Sequence, residues 1–269
     1  MSNEPSISQD YLLTKQYKND QNLRARIRLH ELFSTNTYDW HRWVFDRFVL
    51  PEQARVLEIG CGPGELWLRN LARIPAGWEI TLSDFSPGML EQAQDNLQQS
   101  DHPFAYAQID AQAIPHANGY FDAVIANHML YHVPDRAKAL AEMRRVLKPG
   151  GRFYAATNGK DHMREIKDLV LQFDPDAGGL WKSFATGSFR LENGSALIAQ
   201  SFDHVTLHIY EDGLKVTKAE PLVDYVLSTP VGMAFDAEKV SRFTAFVQQQ
   251  IDERGALHIT KATGLFEAF

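Results

Sequence analysis

The sequence predicts an α/β protein organised on a doubly wound sheet, and three observations carry that expectation. First, residues 55–66 read as a buried strand, Val56-Leu57-Glu58-Ile59, then a glycine turn, Gly60-Cys61-Gly62-Pro63-Gly64, then a helix start at Glu65 and Leu66. Second, Glu58, Asp84 and Asp110 recur 26 residues apart. That spacing fits successive strand–helix–strand units of about 30 residues each. Third, segments of helical periodicity alternate with short apolar runs as far as residue 157. The glycines of the first turn permit φ values that other residues resist and leave no side chain between the main chain and a ligand. This is the turn at which such sheets bind nucleosides.

A chain of 269 residues is long enough for one sizeable core, or a core with an inserted cap. Its 44% hydrophobic and 23% charged residues are ordinary for a soluble globular protein. The start, Met1-Ser2-Asn3-Glu4-Pro5, is polar and predicts no secretory leader. No apolar run reaches spanning length, so no membrane span is expected. A single cysteine, Cys61, excludes an intrachain disulfide and a multi-cysteine zinc site. Together these features predict a cytoplasmic enzyme. The net charge of −7 argues against nucleic acid as a partner. The nearest thing to a basic stripe, Arg24, Arg26 and Arg28 with Lys15 and Lys18, reads as a solvated helix side on which Glu31 can pair with Arg28.

Residues 1–9 are expected to be disordered, and residues 10–48 to be helical, with Leu23, Ile27, Leu29, Leu32 and Phe33 on one periodicity. A break at residues 36–39 precedes a second helix carrying Trp40, Trp43, Val44, Phe45 and Phe48. After the glycine turn, Leu66, Trp67, Leu68 and Leu71 predict a helix that ends at Pro75-Ala76-Gly77. Residues 78–84 predict the second strand, with Asp84 at its carboxyl end; a helix through Leu90, Ala93 and Leu97 follows. Residues 104–109 predict the third strand, and Val124, Ile125 and Ala126 the core of the fourth. Residues 136–147 predict a helix with Ala137, Leu140, Ala141, Val146 and Leu147 turned inward. A turn at Pro149-Gly150-Gly151 leads into a fifth strand at residues 153–156. Met163, Ile166, Leu169, Val170 and Phe173 then predict a helix, followed by a loop-rich aromatic stretch with Pro175, Gly178, Gly179, Trp181, Phe184 and Phe189. Residues 205–210 alternate as a sixth strand, two helices occupy about 220–228 and 238–252, and residues 257–266 form a last strand.

The string Glu58-Ile59-Gly60-Cys61-Gly62-Pro63-Gly64 resembles motif I of the class I S-adenosylmethionine (SAM) dependent methyltransferases, the group that includes the UbiE-like enzymes. Asp84-Phe85-Ser86-Pro87-Gly88-Met89-Leu90 resembles that family's turn after the second strand, and Leu147-Lys148-Pro149-Gly150-Gly151 its turn before the fifth. The resemblance covers residues 55–157 well and the remainder in outline. It implies a Rossmann-like seven-stranded sheet whose last strand is antiparallel, inserted between the fifth and sixth. It also implies an N-terminal helical lid over residues 1–50, and cap insertions at about 162–203 and 211–255 within the SAM-binding domain of residues 51–269. SAM is the implied cofactor, and Glu58, Gly60, Cys61, Gly62 and Gly64 form its turn. Asp84 would accept from both ribose hydroxyls, since a carboxylate offers a bidentate acceptor; a helix N-terminal acid is the alternative reading. Phe85 would lie against the adenine, Met89 of the same turn is among the cofactor-binding residues, Asp110 would take the adenine amino group, and the backbone N–H of Ala111 would meet a ring nitrogen. Asn127 and His128 would line the methionine side.

Tyr131 and His132 are the acceptor-side candidates for catalysis. Imidazole titrates near neutrality, which suits a general base; alternatively His132 caps or packs the next helix. Tyr11, Tyr17, Arg26 and His30 are lid candidates, and Asn158 and His162 lie at the end of the fifth strand. The implied reaction is in-line transfer of a methyl group to a small-molecule acceptor, for which orientation matters more than strong acid or base. An NAD-dependent oxidoreductase is disfavoured because Glu65 stands where a dinucleotide turn wants its third glycine. A SAM-binding cyclase, decarboxylase or binding module on the same fold is the remaining alternative.

Overall fold

The computed structural model describes residues 21–178 and 189–269. Tyr11, Tyr17, Gly179, Trp181, Phe184 and the start of the N-terminal helical pattern lie outside the described residues. The strands are β1 (Ala54–Ile59), β2 (Trp78–Asp84), β3 (Phe104–Gln108), β4 (Phe121–Asn127), β5 (Leu147–Asn158), β6 (Val205–Val216) and β7 (Leu257–Ala268). The described helices are α1 (Gln21–Phe33), α2 (Trp40–Phe45), α3 (Glu65–Leu68), α4 (Pro87–Leu97), α5 (Arg136–Val146), α6 (Arg164–Phe173), α7 (Leu191–Ile198), α8 (Ala219–Leu227) and α9 (Ala237–Arg254). The sheet order is β3-β2-β1-β4-β5-β7-β6. Strands β1 to β5 pair in parallel, and β7 pairs antiparallel to β5, as the resemblance implied. Among the described residues no helix is long and apolar enough to cross a membrane.

The chain divides into two compact units. The sheet unit comprises residues 38–160, 186–210 and 263–269; the other comprises residues 1–37, 161–185 and 211–262. Each has its own core. In the sheet unit, side chains alternate across the strands with period two. Leu57, Ile59, Val124, Ala126, Phe153 and Ala155 point to one face, where Leu140, Met143 and Val146 of α5 and Ile198 of α7 cover them. Val56, Ile80, Leu82, Ala123, Ile125 and Ala156 point to the other, covered by Trp43, Val44 and Phe45 of α2, Trp67 of α3 and Leu90, Ala93 and Leu97 of α4. Burial on both faces is why these strands read as apolar runs rather than as alternating ones. The second unit packs Leu29 and Phe33 of α1, Ile166, Leu169 and Val170 of α6, Leu222, Val223 and Val226 of α8, and Phe243, Val247 and Ile251 of α9 into a third cluster.

Several elements differ from the expectation. The helix after the glycine turn is only four residues long, followed by a 3-10 turn at Leu71–Arg73. Asn70 stops it: its amide donates back to Leu66 O at 2.7 Å and across to His41 O at 3.1 Å, and its own backbone has left the helical region. On α5 the inward stripe is Ala139, Leu140, Met143 and Val146, while Ala137 and Ala141 are exposed. The Pro-Gly-Gly turn does not stand apart from the fifth strand; β5 begins at Leu147, and the β4 register jumps from Phe121↔Leu147 to Ala123↔Arg152 around it. On α1, Arg28 pairs with Asp224 at 3.3 Å, and Arg26 donates to Ser228 O and Oγ rather than facing only solvent.

Helix α7 follows the loop-rich stretch, between Phe189 and the sixth strand, where the sequence pattern predicts no element. Its sequence, Leu191-Glu192-Asn193-Gly194-Ser195, carries helix-disfavouring residues. Asn193 is used as part of the cap, accepting the Arg190 N–H at 2.7 Å. Gly194 is there for close approach: a Cβ at this position would stand 2.4 Å from the Phe266 ring. Gly194→Ala should therefore destabilise the protein by about 1–3 kcal/mol through overpacking, although alanine is the better helix former by about 1 kcal/mol. Urea unfolding of the variant measures this, and an unchanged or raised midpoint would count against the close packing.

Candidate functional site

The site lies in the sheet unit, at the carboxyl ends of the neighbouring strands β2, β1 and β4. The glycine turn is stitched to β2: Cys61 N–H donates to Ser83 O at 2.9 Å, and Ser83 Oγ–H donates to Glu58 O at 2.8 Å. Gly60 has φ +71°, and a Cβ there would stand 2.7 Å from Met129 Cβ, so this position requires glycine. Gly64 is the αL cap of α3. Asn96 of α4 donates to Pro63 O at 2.9 Å and holds the turn from outside.

Asp84 is fixed by two backbone donors. Gly62 N–H reaches Oδ2 at 3.0 Å, and Ser86 N–H reaches Oδ1 at 2.8 Å. Burial pushes the Asp84 carboxyl above the usual range, and the N–H bonds from Ser86 and Gly62 counter part of that push. The cap of α4 is Ser86, whose Oγ accepts the Met89 N–H, so Asp84 is not itself the helix cap. Met89 is buried in the first turn of α4, and Phe85 beside it is 37% exposed.

Glu58 is 2% exposed. Trp67 Nε1–H donates to its Oε2 at 2.6 Å. Burial, with the Asp84 charge adding to it, raises Glu58 to about 8, while the Trp67 and Asn127 hydrogen bonds pull the other way. Asn127 ends β4, and its Oδ1 is buried with no hydrogen-bond partner among the described residues. Cys61, also buried, has its thiol pushed well up by burial and by the same two carboxylates. Glu58, Asp84, Asn127, Cys61 and Gly62 thus form one contiguous group.

The other expected residues lie around it. Asp110, past the end of β3, accepts from the Gln112 N–H at 2.9 Å and from Gln112 Nε2 at 3.1 and 3.3 Å. Ala111 beside it is buried. His128 adopts φ +53°, donates its N–H to Ala156 O at 3.0 Å, and sets its ring 5.5 Å from Trp40. Tyr131 and His132 follow in a 3-10 turn, with ring centroids 4.5 Å apart. His132 does not cap α5; Asp135 does, by accepting the Lys138 N–H at 3.0 Å. Asn158 accepts from Thr263 Oγ at 2.9 Å. His30, His162 and Arg26 belong to the second unit, where the His30 ring lies 6.4 Å from His162 and 6.5 Å from Tyr225. Trp67, Gln112 and Trp40 escaped the sequence reading. Trp67 and Trp40 look like core aromatics in one dimension, and only Gln112, two residues after Asp110, had a local signal.

The family described as a methyltransferase domain matches residues 57–155. The ubiquinone/menaquinone biosynthesis C-methyltransferase UbiE of Geotalea uraniireducens is 34% identical over 155 residues, covering 54% of this chain and 65% of that protein. UbiE of Proteus mirabilis is 33% identical over 117 residues, covering 42% and 46%. The chain spans about half the length of the first curated relatives it matches. Among solved structures, the phosphoethanolamine N-methyltransferase 2 of Haemonchus contortus in complex with SAM superposes with a TM-score of 0.60 at 18% identity, over 97% of this chain and 60% of that one. The [4+2]-cyclase SpnF superposes with a TM-score of 0.57 at 16% identity, over 99% and 98%. At those identities the structural likeness is one of fold. Residues 57–155 thus match a methyltransferase domain, and the sheet that surrounds them has the strand order that the resemblance implied.

Proposed function

We propose that the chain is a SAM-dependent methyltransferase that moves a methyl group to a small-molecule acceptor by in-line displacement. The observation that carries this reading is the Asp84 carboxylate, held by the Gly62 and Ser86 N–H groups beside an open glycine turn. The residues present fit the cofactor. Gly62 has φ +53° and nothing within 4 Å of where a Cβ would stand, so the main chain is open to a ligand. Each Asp84 oxygen takes one of these N–H bonds and keeps a lone pair for a sugar hydroxyl. The buried Asn127 Oδ1 suits an ammonium donor. Asp110 and the Ala111 N–H would hold the adenine edge, with Phe85 against its face and Met89 anchoring the turn beneath. Gly60, Cys61 and Gly64 shape the turn, and Glu58 faces the methionine end.

Bound there, SAM supplies a methyl group on an already activated sulfonium. The protein's own contribution is then orientation and exclusion of water, and orientation alone can account for roughly 7–11 kcal/mol of a barrier. We assign Tyr131 and His132, with His128 and the Trp40 ring beside it, to the acceptor side. The names of the UbiE relatives support a small-molecule acceptor. The cyclase neighbour illustrates that this fold by itself does not choose the reaction.

The test is to incubate the purified chain with SAM and a panel of quinol, phenol, amine and carboxylic acid acceptors, and to measure S-adenosylhomocysteine by mass spectrometry. Release is expected with one acceptor class, matched by methylated product. Tight SAM binding with no release from any class would replace transfer by a non-transferase role. Preferential binding of NAD would overturn the cofactor reading itself.

A further inference from the structure

Glu58 has surroundings that holding a nucleoside does not by itself explain. A carboxylate on the ligand-facing end of a strand needs no burial to accept a hydrogen bond, yet this one is 2% exposed. None of the ion pairs among the described residues involves Glu58 or Asp84. The groups that face Glu58 are the Trp67 indole from α3, Asn127 from β4, Asp84 from β2 and Cys61 from the turn. Of these, Asp84 and Cys61 titrate and neither can supply positive charge. Two carboxyl groups, a thiol and the buried Asn127 Oδ1 therefore converge on one place with no cation of the protein's own among the described residues.

Resting on the SAM reading above, we propose that burial away from any cation of the protein keeps Glu58, aimed by the Trp67 indole, a neutral carboxyl in the free protein, and that Glu58 releases its proton when the cationic methionine end of the nucleoside binds. The O–H bond of the carboxyl breaks, the proton goes to solvent, and the carboxylate left behind becomes the counter-ion of the incoming ammonium and sulfonium charge. Burying an unpaired carboxylate is unfavourable, so the acid stays protonated until a cation arrives. Burial places its titration at about 8, so at neutral pH the group is mostly protonated. The sign follows directly: the cation selects the ionised form, so affinity rises with pH up to about 8 and levels off above it. Well below that value each pH unit lowers affinity up to about tenfold. Trp67 is a positioning residue here. Its N–H aims Oε2, and because that bond favours the charged form, removing it drives the titration further up.

The experiment pairs two readouts on the full chain. Carboxyl-carbon NMR of glutamate-labelled protein without ligand follows Glu58 directly. Calorimetric titration with SAM at pH 7, in buffers of different ionisation enthalpy, counts protons released. The expected results are a Glu58 midpoint near 8 and close to one proton per SAM. Glu58→Gln should bind SAM with an affinity independent of pH and release no proton. Trp67→Phe, which keeps the ring, should move the Glu58 midpoint upward and weaken binding at pH 7 while still releasing a proton; a merely structural tryptophan would leave the midpoint in place. A Glu58 midpoint in the ordinary carboxylate range overturns the proposal whatever SAM does. A high midpoint with SAM bound and no proton released overturns it while leaving the cofactor reading intact. A high midpoint with no SAM binding overturns both.

Discussion

Asp84→Ala should weaken SAM binding about 100-fold, which corresponds to about 3 kcal/mol, the loss expected for two hydrogen bonds to a charged acceptor. Asp84 closes β2, and its two oxygens already take backbone N–H groups from the turn and from the start of α4. The carboxylate is thus pre-aimed, and little ordering remains to be done when a sugar arrives. Asp84→Asn is the informative companion. The amide presents one N–H face to a position where either Gly62 N–H or Ser86 N–H also points, so it should bind little better than alanine. His132→Ala, by contrast, should change SAM affinity less than about threefold, because His132 sits in the turn beyond β4 against Tyr131 and not in the carboxylate group. Calorimetric titration of the three variants, each checked for a native melting transition, measures this. Equal and unchanged affinities would remove Asp84 from the cofactor site.

Much of this site was legible because it is local. A strand end, a glycine turn and an acid 26 residues later are fixed by backbone geometry that neighbouring residues encode. Gly60 and Gly64 adopt the positive φ their positions demand, and β7 takes its place between β5 and β6. What escaped depends on contacts distant in sequence or on a residue overruling its own propensity. Trp67 reads as a helix-face aromatic, and only the folded chain turns its N–H onto Glu58, nine residues earlier. The helix that should have run to Pro75 stops early because Asn70 finds His41 O, 29 residues away. Helix α7 contains Asn193 and Gly194, poor helix formers, and exists because Phe189 and Ile198 are buried around it. Of the residues expected inward on α5, Leu140, Val146 and Leu147 are buried, while Ala139 and the larger Met143 take the inward places expected of Ala137 and Ala141. The separate core of the second unit had visible helices, but no periodicity says which other helix each one packs against.

Asp212→Ala should lower stability by about 3 kcal/mol, near the bottom of the range for breaking a buried ion pair, without touching the cofactor site. Asp212 lies in β6, within the second unit, and its side chain is 0% exposed. Its Oδ2 accepts from Lys261 of β7 and from Ser34 Oγ at 2.5 Å. Its Oδ1 accepts the N–H groups of Thr35 at 3.1 Å, Asn36 at 2.9 Å and Gly213 at 2.7 Å. One carboxylate therefore ties the residues just after α1 to two strands. Burial alone would raise its titration, but the hydrogen bonds from Lys261, Ser34 and the Asn36 N–H outweigh that and hold it below the usual 3.8. The folded value is depressed, so the stabilisation is fully present above about pH 4 and is lost as pH falls through the folded value. The difference in unfolding free energy between wild type and Asp212→Ala, from urea melts at a series of pH values, should accordingly be flat from pH 7 to about 5 and shrink below pH 4. Asp212→Asn, which keeps acceptor and shape but loses the charge, should fall between the two. A difference that stays constant down to pH 2 would mean that the contribution of Asp212 is packing alone, and that the charge on its carboxylate does not hold the end of α1.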